Sequence, residues 1–240
     1  MKYFGIFETV RVENGKAVLI DHHYKRIKRS AKVLKIPFSL SFEEFKEEIE
    51  KNASFPVSLV RLTIFKDGSY EVSSRVCEKK EEVSLILIDD IRRNFSPLSL
   101  HKKVDIMDSL YALEKAKERG GDEALLLDVN GFVSETAFAN IFFVKNGIFF
   151  TPSLRTGCLS GTRRSFLIKT LRQMGVPVFE GFYTLKDLFL ADEVFIVSAR
   201  YDIARVKNIN GKELPPLPIK SYRERLLKLF SYSSSPNLLP

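Results

Sequence analysis

Apolar and polar positions alternate at the start of the chain and then change to a helical period. Ile6 to Val12 and Lys16 to Ile20 flank Glu13-Asn14-Gly15, the pattern of a hairpin with an Asn-Gly turn. A helix is predicted over Asp21 to Leu34, ending before Pro37. Ser41 opens the next helix, with Glu44 three residues on as the partner in a capping box, and this helix runs to Asn52. Val57 to Phe65 and Ser69 to Val76 alternate around Lys66-Asp67-Gly68, and Val83 to Ile88 is a third apolar run. These elements predict an α+β unit built on an antiparallel sheet. Arg92 to Leu100, with Asn94, Ser96 and Pro97, reads as the linker that closes it.

The second half repeats the turn chemistry with a different layout. A helix is expected near Asp105 to Arg119, stopped by Gly120-Gly121. Two further Asn-Gly hairpins follow: Glu123 to Asp128 with Phe132 to Ser134, then Ile141 to Val144 with Ile148 to Thr151. Gly161 to Met174 is predicted as a helix, Val176 to Glu180 as a strand, Thr184 to Leu190 as a short helix and Glu193 to Ser198 as a strand. A last helix is placed near Ser221 to Phe230, and the serine-rich stretch from Ser231 to Pro236 reads as a frayed end. The expected division is a small domain over 1–97 and a larger, cofactor-binding domain over 98–240.

Composition narrows the function classes. The 240 residues are 45% hydrophobic and 28% charged, enough for one large core or two modest ones. No apolar run approaches the roughly 20 residues of a membrane span, so the expectation is a cytoplasmic protein without a membrane partner. Cys77 and Cys158 with three histidines fit neither a disulfide framework nor a zinc site, and no metal is expected. The net charge of +8 is spread among acids, as in Glu43-Glu44-Phe45-Lys46-Glu47-Glu48, which argues against nucleic acid and for small anionic ligands.

Candidate chemistry centres on His101-Lys102-Lys103 and on Val133-Ser134-Glu135. A lysine can hold a cofactor aldehyde and a carboxylate can face a pyridine ring nitrogen, two of the three anchors that pyridoxal phosphate requires. The third is a set of cationic or backbone donors for the phosphate.

An ordered series of blocks then carries a family resemblance. Gly5-Ile6-Phe7-Glu8-Thr9-Val10-Arg11-Val12, His23-Tyr24-Lys25-Arg26 and Ser96-Pro97-Leu98-Ser99-Leu100-His101-Lys102 open it. Asp122-Glu123-Ala124-Leu125, Gly131-Phe132-Val133-Ser134-Glu135, Asn140-Ile141-Phe142, Leu159-Ser160-Gly161-Thr162-Arg163-Arg164 and Ala191-Asp192-Glu193-Val194-Phe195 continue it in order. From Gly5 to Gly211 the chain resembles the class IV aminotransferases, the pyridoxal phosphate enzymes of fold type IV. The resemblance implies a small N-terminal α/β domain with an antiparallel sheet and a larger C-terminal β-barrel-like α/β domain, as in enzymes like D-amino-acid transaminase. It also implies a homodimer.

Roles follow residue by residue from the resemblance. Lys102 matches the lysine that carries the cofactor and moves the substrate proton, while Lys103 stands where the family usually has threonine. Glu135 matches the acid on the ring nitrogen, and Arg26 the phosphate-binding arginine; alone, Arg26 would read as part of a basic helix face with Lys25, Lys28 and Arg29. Thr162 and Arg163, at a helix start, and Ser198 and Ala199 match the other phosphate-binding segments. The family usually has threonine at the position of Arg163 and an aliphatic residue at that of Thr162. Arg200 and Arg93 are the candidates for a substrate carboxylate. Asn140 reads as a turn or supporting residue.

The implied reaction is that of a lyase or a transferase in folate or amino acid metabolism. The Phe7-Glu8-Thr9 and Arg93-Asn94-Phe95-Ser96-Pro97-Leu98 strings resemble the 4-amino-4-deoxychorismate lyase branch, which releases pyruvate and 4-aminobenzoate. That branch often has Asn three residues after the lysine and an aromatic or basic residue four after it; here Asp105 and Ile106 stand there. Branched-chain and D-amino-acid transaminases are the alternative, and a non-catalytic anion-binding protein is the remoter one.

Overall fold

The computed structural model describes residues 4–78, 80–215 and 221–232. The part of the serine-rich tail from 233 onward lies outside the described residues. The chain divides into two compact units, one of Met1–Lys79, His101–Asp105 and Lys228–Pro240, the other of Lys80–Leu100 and Ile106–Leu227.

In the first unit, β1 (Gly5–Glu13) and β2 (Lys16–Ala17) form the expected hairpin, with Asn14 and Gly15 at φ 49° and 77°, the left-handed pair that a tight turn of this type needs. The second strand is shorter than Lys16 to Ile20. Val18 still donates to Arg11 O at 2.8 Å, but Leu19 takes φ 54° and turns the chain into α1 (Ile20–Leu34). Then come α2 (Phe42–Lys51), with the Ser41/Glu44 capping box in place, β3 (Val57–Phe65) and β4 (Tyr70–Val76). The antiparallel sheet has the order β2-β1-β3-β4. Its period of two sends Ile6, Val10, Val12, Val60, Leu62 and Ile64 against Ile27, Ala31, Phe45 and Ile49 of the helices, which form one core. Phe7 and Arg61 have the opposite parity and so lie on the other face.

The second unit corrects two expectations. Val83 to Ile88 does not extend the first sheet: it is part of β5 (Glu82–Arg93), and its apolar residues serve two cores on opposite faces, Val83 and Leu85 in one, Ile86 and Ile88 in the other. A strand apolar on both faces belongs inside a sheet covered on both sides. The division at 97/98 moves for the same reason, because residues 80–100 go with the second unit and 101–105 return to the first.

The remaining elements are α3 (Met107–Glu118), β6 (Glu123–Asp128), β7 (Val133–Thr136), β8 (Asn140–Lys145), β9 (Ile148–Pro152), α4 (Thr162–Gln173), β10 (Val178–Gly181), α5 (Leu185–Phe189), β11 (Glu193–Ser198), β12 (Asp202–Ile209), β13 (Lys212–Glu213) and α6 (Tyr222–Tyr232). The barrel-like sheet of this unit has the order β10-β9-β8-β11-β12-β5-β6-β7, with β13 on β12, and its pairs are mixed parallel and antiparallel. α3 starts later than Asp105 because 102–104 are extended. β12 was not foreseen: Arg205, Lys207 and Asn208 dilute its apolar positions, and an irregularity between Val206 and Asn208 interrupts its period of two.

Candidate active site

In the first unit, residues 102–104 pair with the start of β1. Phe7 N donates to Lys102 O at 2.9 Å, Val104 N donates to Gly5 O at 3.1 Å, and Lys103 bridges Ile6. Consecutive side chains on an extended segment point to opposite sides, so Lys102 and Lys103 diverge. Lys102 Nζ stands 4.5 Å from the centre of the Phe7 ring, and the Arg61 guanidinium carbon stands 3.7 Å from the same centre. Both distances suit cation–π attraction. The amine expected to be reactive therefore shares an aromatic ring with a second cation, whose Nε donates to Thr63 Oγ1 at 3.2 Å. His101 Nδ1 lies 2.9 Å from Ser30 Oγ, and burial, then the charges of Arg29 and Lys103, lower its pKa.

Arg26 is engaged by a residue that sequence reasoning passed over. Its Nε and Nη2 donate to Glu8 Oε1 and Oε2 at 2.7 and 2.5 Å, and His23 Nδ1 lies 2.6 Å from Glu8 Oε2. His23 and Arg26 are one turn apart on α1, so both reach the same carboxylate on the helix-facing side of β1. Burial alone would raise the Glu8 pKa; the Arg26 charge and hydrogen bonds, with those of His23, outweigh it and hold the group at about 2.

In the second unit, Glu135 on β7 sits between a guanidinium and a backbone donor. Arg93 Nε lies 2.9 Å from its Oε1 as an ion pair without hydrogen-bond alignment, and Leu159 N donates to Oε2 at 2.9 Å. Arg93 Nη2 also donates to Ser109 Oγ at 2.7 Å, so the arginine expected at a substrate carboxylate is held by Glu135 and α3. Gly157 makes this arrangement possible: at φ 85°, any Cβ there would meet the Asn94 backbone at 2.8 Å.

Gly161 precedes α4 and plays a similar part. A Cβ on it would fall 2.1 Å from Asn140 Oδ1, and Asn140 cannot yield easily because its Nδ2 donates to Leu159 O at 2.8 Å. This gives Asn140 the supporting role expected of it. Gly161 offers no side-chain cap, and the first N–H groups of a helix have no acceptor within the helix itself. Thr162 is the buried first residue of α4. The Arg163 side chain is also buried, and its Nε donates to Asp202 Oδ1 at 2.7 Å, with Nη2 on the same oxygen. Ser198 ends β11, its Oγ accepts from Arg200 N at 3.3 Å, and Ala199 lies between them. The Arg200 guanidinium carbon stands 5.1 Å from the Tyr201 ring centre.

A second unforeseen carboxylate lies under this loop. Glu123 is fully buried, with Tyr201 OH donating to its Oε1 at 3.1 Å and Phe138 N to its Oε2 at 3.3 Å. Burial pushes its pKa up to about 7, against the smaller opposing effects of Tyr201, Arg200, Thr136 and Phe138 N. Glu8 and Glu123 share a signal in the sequence, an acidic residue set in an apolar strand, where a carboxylate needs a specific reason to be.

Comparison with known proteins gives this arrangement a family. The model of the family described as Amino-transferase class IV matches residues 5–209. A Thermotoga maritima protein named probable branched-chain-amino-acid aminotransferase is 30% identical over 216 residues, which cover 86% of this chain and 77% of that one. The aminodeoxychorismate lyase of Bacillus subtilis is 27% identical over 240 residues, covering 86% of this chain and 78% of its own. Among solved structures, a Legionella pneumophila protein provisionally named 4-amino-4-deoxychorismate lyase superposes with a TM-score of 0.83 at 26% identity, over 95% of this chain and 91% of that one. The match runs through the blocks that hold Lys102, Glu135 and Gly161, and the chain belongs to the class IV aminotransferases, a family of pyridoxal phosphate enzymes.

Proposed function

We propose that the protein is a 4-amino-4-deoxychorismate lyase, releasing pyruvate and 4-aminobenzoate from a small carboxylate substrate. The observation that carries this reading is the cluster of Lys102, Phe7 and Arg61. A proton-accepting amine beside a flat aromatic ring and a guanidinium suits an unsaturated ring that bears carboxylates. The Phe7-Glu8-Thr9 and Arg93-to-Leu98 strings support the same branch. Branched-chain or D-amino-acid transamination is the second reading, favoured by the name of the Thermotoga relative.

Each unit carries donors that suit pyridoxal 5'-phosphate: a primary amine at Lys102 in the first, and in the second a carboxylate at Glu135 and the backbone N–H groups at the start of α4. When bound, that group supplies a carbonyl for the substrate amine and a sink for electrons released at the neighbouring carbon. Lys102 Nζ would take the proton from the amine-bearing ring carbon; as the ring becomes aromatic the C–O bond to the three-carbon side chain breaks, and the proton passes to the departing enol, which leaves as pyruvate. Glu135 would accept a hydrogen bond from a protonated ring nitrogen, while Arg93 and Leu159 N keep its carboxylate oriented. Arg26, aimed by Glu8, is the phosphate-binding candidate of the first unit, and the Thr162, Ser198 and Ala199 segments are those of the second. Arg61 and Arg200 attract substrate carboxylates. We assign Arg93 to Glu135 in place of its expected substrate contact.

The protein is further proposed to work as a homodimer. Met107, Leu110 and Tyr111 form an exposed apolar strip along α3, which a second copy would cover; light scattering that returns a monomer would exclude this. The reaction itself is tested by supplying 4-amino-4-deoxychorismate and, separately, an amino donor with a 2-oxo acid. Formation of 4-aminobenzoate and pyruvate from the first is expected, and amino transfer alone would establish the second reading. Lys102→Ala is expected to lose the near-visible absorbance of a lysine-bound cofactor and lower turnover by several powers of ten, on the order of 10³ or more. Lys103→Ala should retain both, and the reverse result would move the reactive amine by one residue.

A further inference from the structure

Two segments that bind phosphate in the proposed reading, the start of α4 and the loop after β11, are far apart in sequence and need something to fix their spacing. The first of them lacks the family's usual hydroxyl, because Arg163 stands at that position. That position holds a guanidinium that is 1% exposed, and both its Nε and Nη2 donate to Asp202 Oδ1, the first at 2.7 Å. A guanidinium taken out of water costs a large desolvation energy unless a carboxylate meets it, so the pair is held together strongly.

Asp202 is also conformationally marked. It has φ 52°, a left-handed backbone that L residues other than Asn and Asp avoid. The turn from Ser198 to Asp202 is therefore pinned at its end to the first turn of α4. Its other anchor is Tyr201, which is 2% exposed and donates to Glu123 Oε1 at 3.1 Å. Within the turn, Arg200 N donates to Ser198 Oγ.

We propose that Arg163 is a positioning residue and not a phosphate ligand: its ion pair with Asp202 holds the 198–201 loop beside the first turn of α4, so that backbone donors from both segments converge on one phosphate. This rests on the pyridoxal phosphate reading above. It assigns Arg163 a part that the family's usual threonine could not play, since a hydroxyl cannot span to the carboxylate at the start of β12 and neutralise it. Asp202 becomes its obligate partner.

The test titrates the full-length apoprotein with pyridoxal 5'-phosphate and with pyridoxal, which lacks the phosphate, in the parent protein, Arg163→Met, Asp202→Asn, the double variant and Arg163→Lys. Thermal melting of each without ligand checks the fold, and the double variant, which buries no unpaired charge, keeps the test open should a single variant misfold. The expected result is that Arg163→Met and Asp202→Asn each weaken pyridoxal phosphate binding about tenfold, leave pyridoxal binding within about twofold, and do not add in the double variant. Arg163→Lys, which keeps a cation for Asp202, should recover part of the loss. A loss in Arg163→Met without one in Asp202→Asn would make Arg163 a direct ligand and overturn the proposal. Equal losses for both ligands, or none for either, would also overturn it. A parent protein that shows no preference for the phosphorylated ligand would instead remove the cofactor reading itself, and this inference with it.

Discussion

Glu8 in the first unit and Glu123 in the second are both excluded from water, at 1% and 0% exposure, yet they settle on opposite sides of the ordinary carboxylate range. Burial raises the pKa of each. Glu8 meets a bidentate guanidinium and an imidazole, which bring it down to about 2. Glu123 meets a phenol, the Thr136 hydroxyl and a backbone N–H, with Arg200 acting only as a neighbouring charge, and it stays at about 7. A cation within hydrogen-bonding reach, and not depth of burial, decides the charge of an interior carboxylate. Its functional corollary is that Glu8 is a permanent anion that aims Arg26, whereas Glu123 holds Tyr201 and the 198–202 loop chiefly as a neutral acid below pH 7.

The largest effect should follow from removing the anion of the first unit. Glu8→Ala leaves the Arg26 guanidinium buried without its partner, and breaking such a pair costs about 3–5 kcal/mol. Urea denaturation at pH 7 measures this directly, and a loss below ~1 kcal/mol would mean that Arg26 finds water or another acceptor, so that the pair is not what holds Glu8 low. The acid limb is a second check. Because the folded pKa of Glu8 lies below its ordinary value of 4.5, its contribution is complete above pH 4.5 and is lost as pH falls toward about 2. The parent protein should lose stability over that window, and Glu8→Gln should lose less.

A smaller effect separates the arginine in the first unit from the acid in the second. Arg26→Ala should weaken pyridoxal phosphate binding by at least roughly 1 kcal/mol, the scale of a charge-assisted hydrogen bond. Glu135→Ala should lower turnover more than cofactor binding, because its partner on the ring gains importance as charge develops in the transition state. Cofactor titrations and steady-state kinetics on both variants decide this, and equal loss of cofactor in both would end the division of roles.

How far the sequence anticipated this depended on how local the physics was. The Asn14-Gly15 turn, the Ser41/Glu44 capping box and the Asn146-Gly147 turn were legible because short-range backbone chemistry determines them. β5 was assigned to the wrong sheet because its pairing with β12 and β6 involves residues far along the chain. Lys102, Glu135 and Arg26 are singled out in the sequence by their places in family blocks. Their partners Phe7, Arg61, Arg93 and Glu8 are not legible as partners, since strand register brings Arg61 opposite Thr9 and sets it over the Phe7 ring, and no local spacing records that. Arg163 shows the same limit: the departure from the family's threonine was visible, but its compensation at Asp202 is a contact between two distant segments.

The smallest effect at any single pH belongs to Glu123→Gln, and its value lies in its slope. Glutamine keeps an acceptor for the Tyr201 hydroxyl and carries no charge, so at pH 5 the variant should stay within about 1 kcal/mol of the parent. The folded pKa of Glu123, about 7, lies above its ordinary value of 4.5, so the native state keeps a proton that the unfolded chain releases. The stabilisation is complete below pH 4.5 and is lost as pH rises through 7. Over that interval the parent should lose stability at up to ~1.4 kcal/mol per pH unit relative to the variant, in the opposite direction to the acid limb of Glu8. Melting curves of parent and variant between pH 5 and 8 measure the difference. Parallel curves would show that Glu123 is ionised throughout, placing a charge beside Tyr201 and Arg200 and removing the contrast between the two carboxylates.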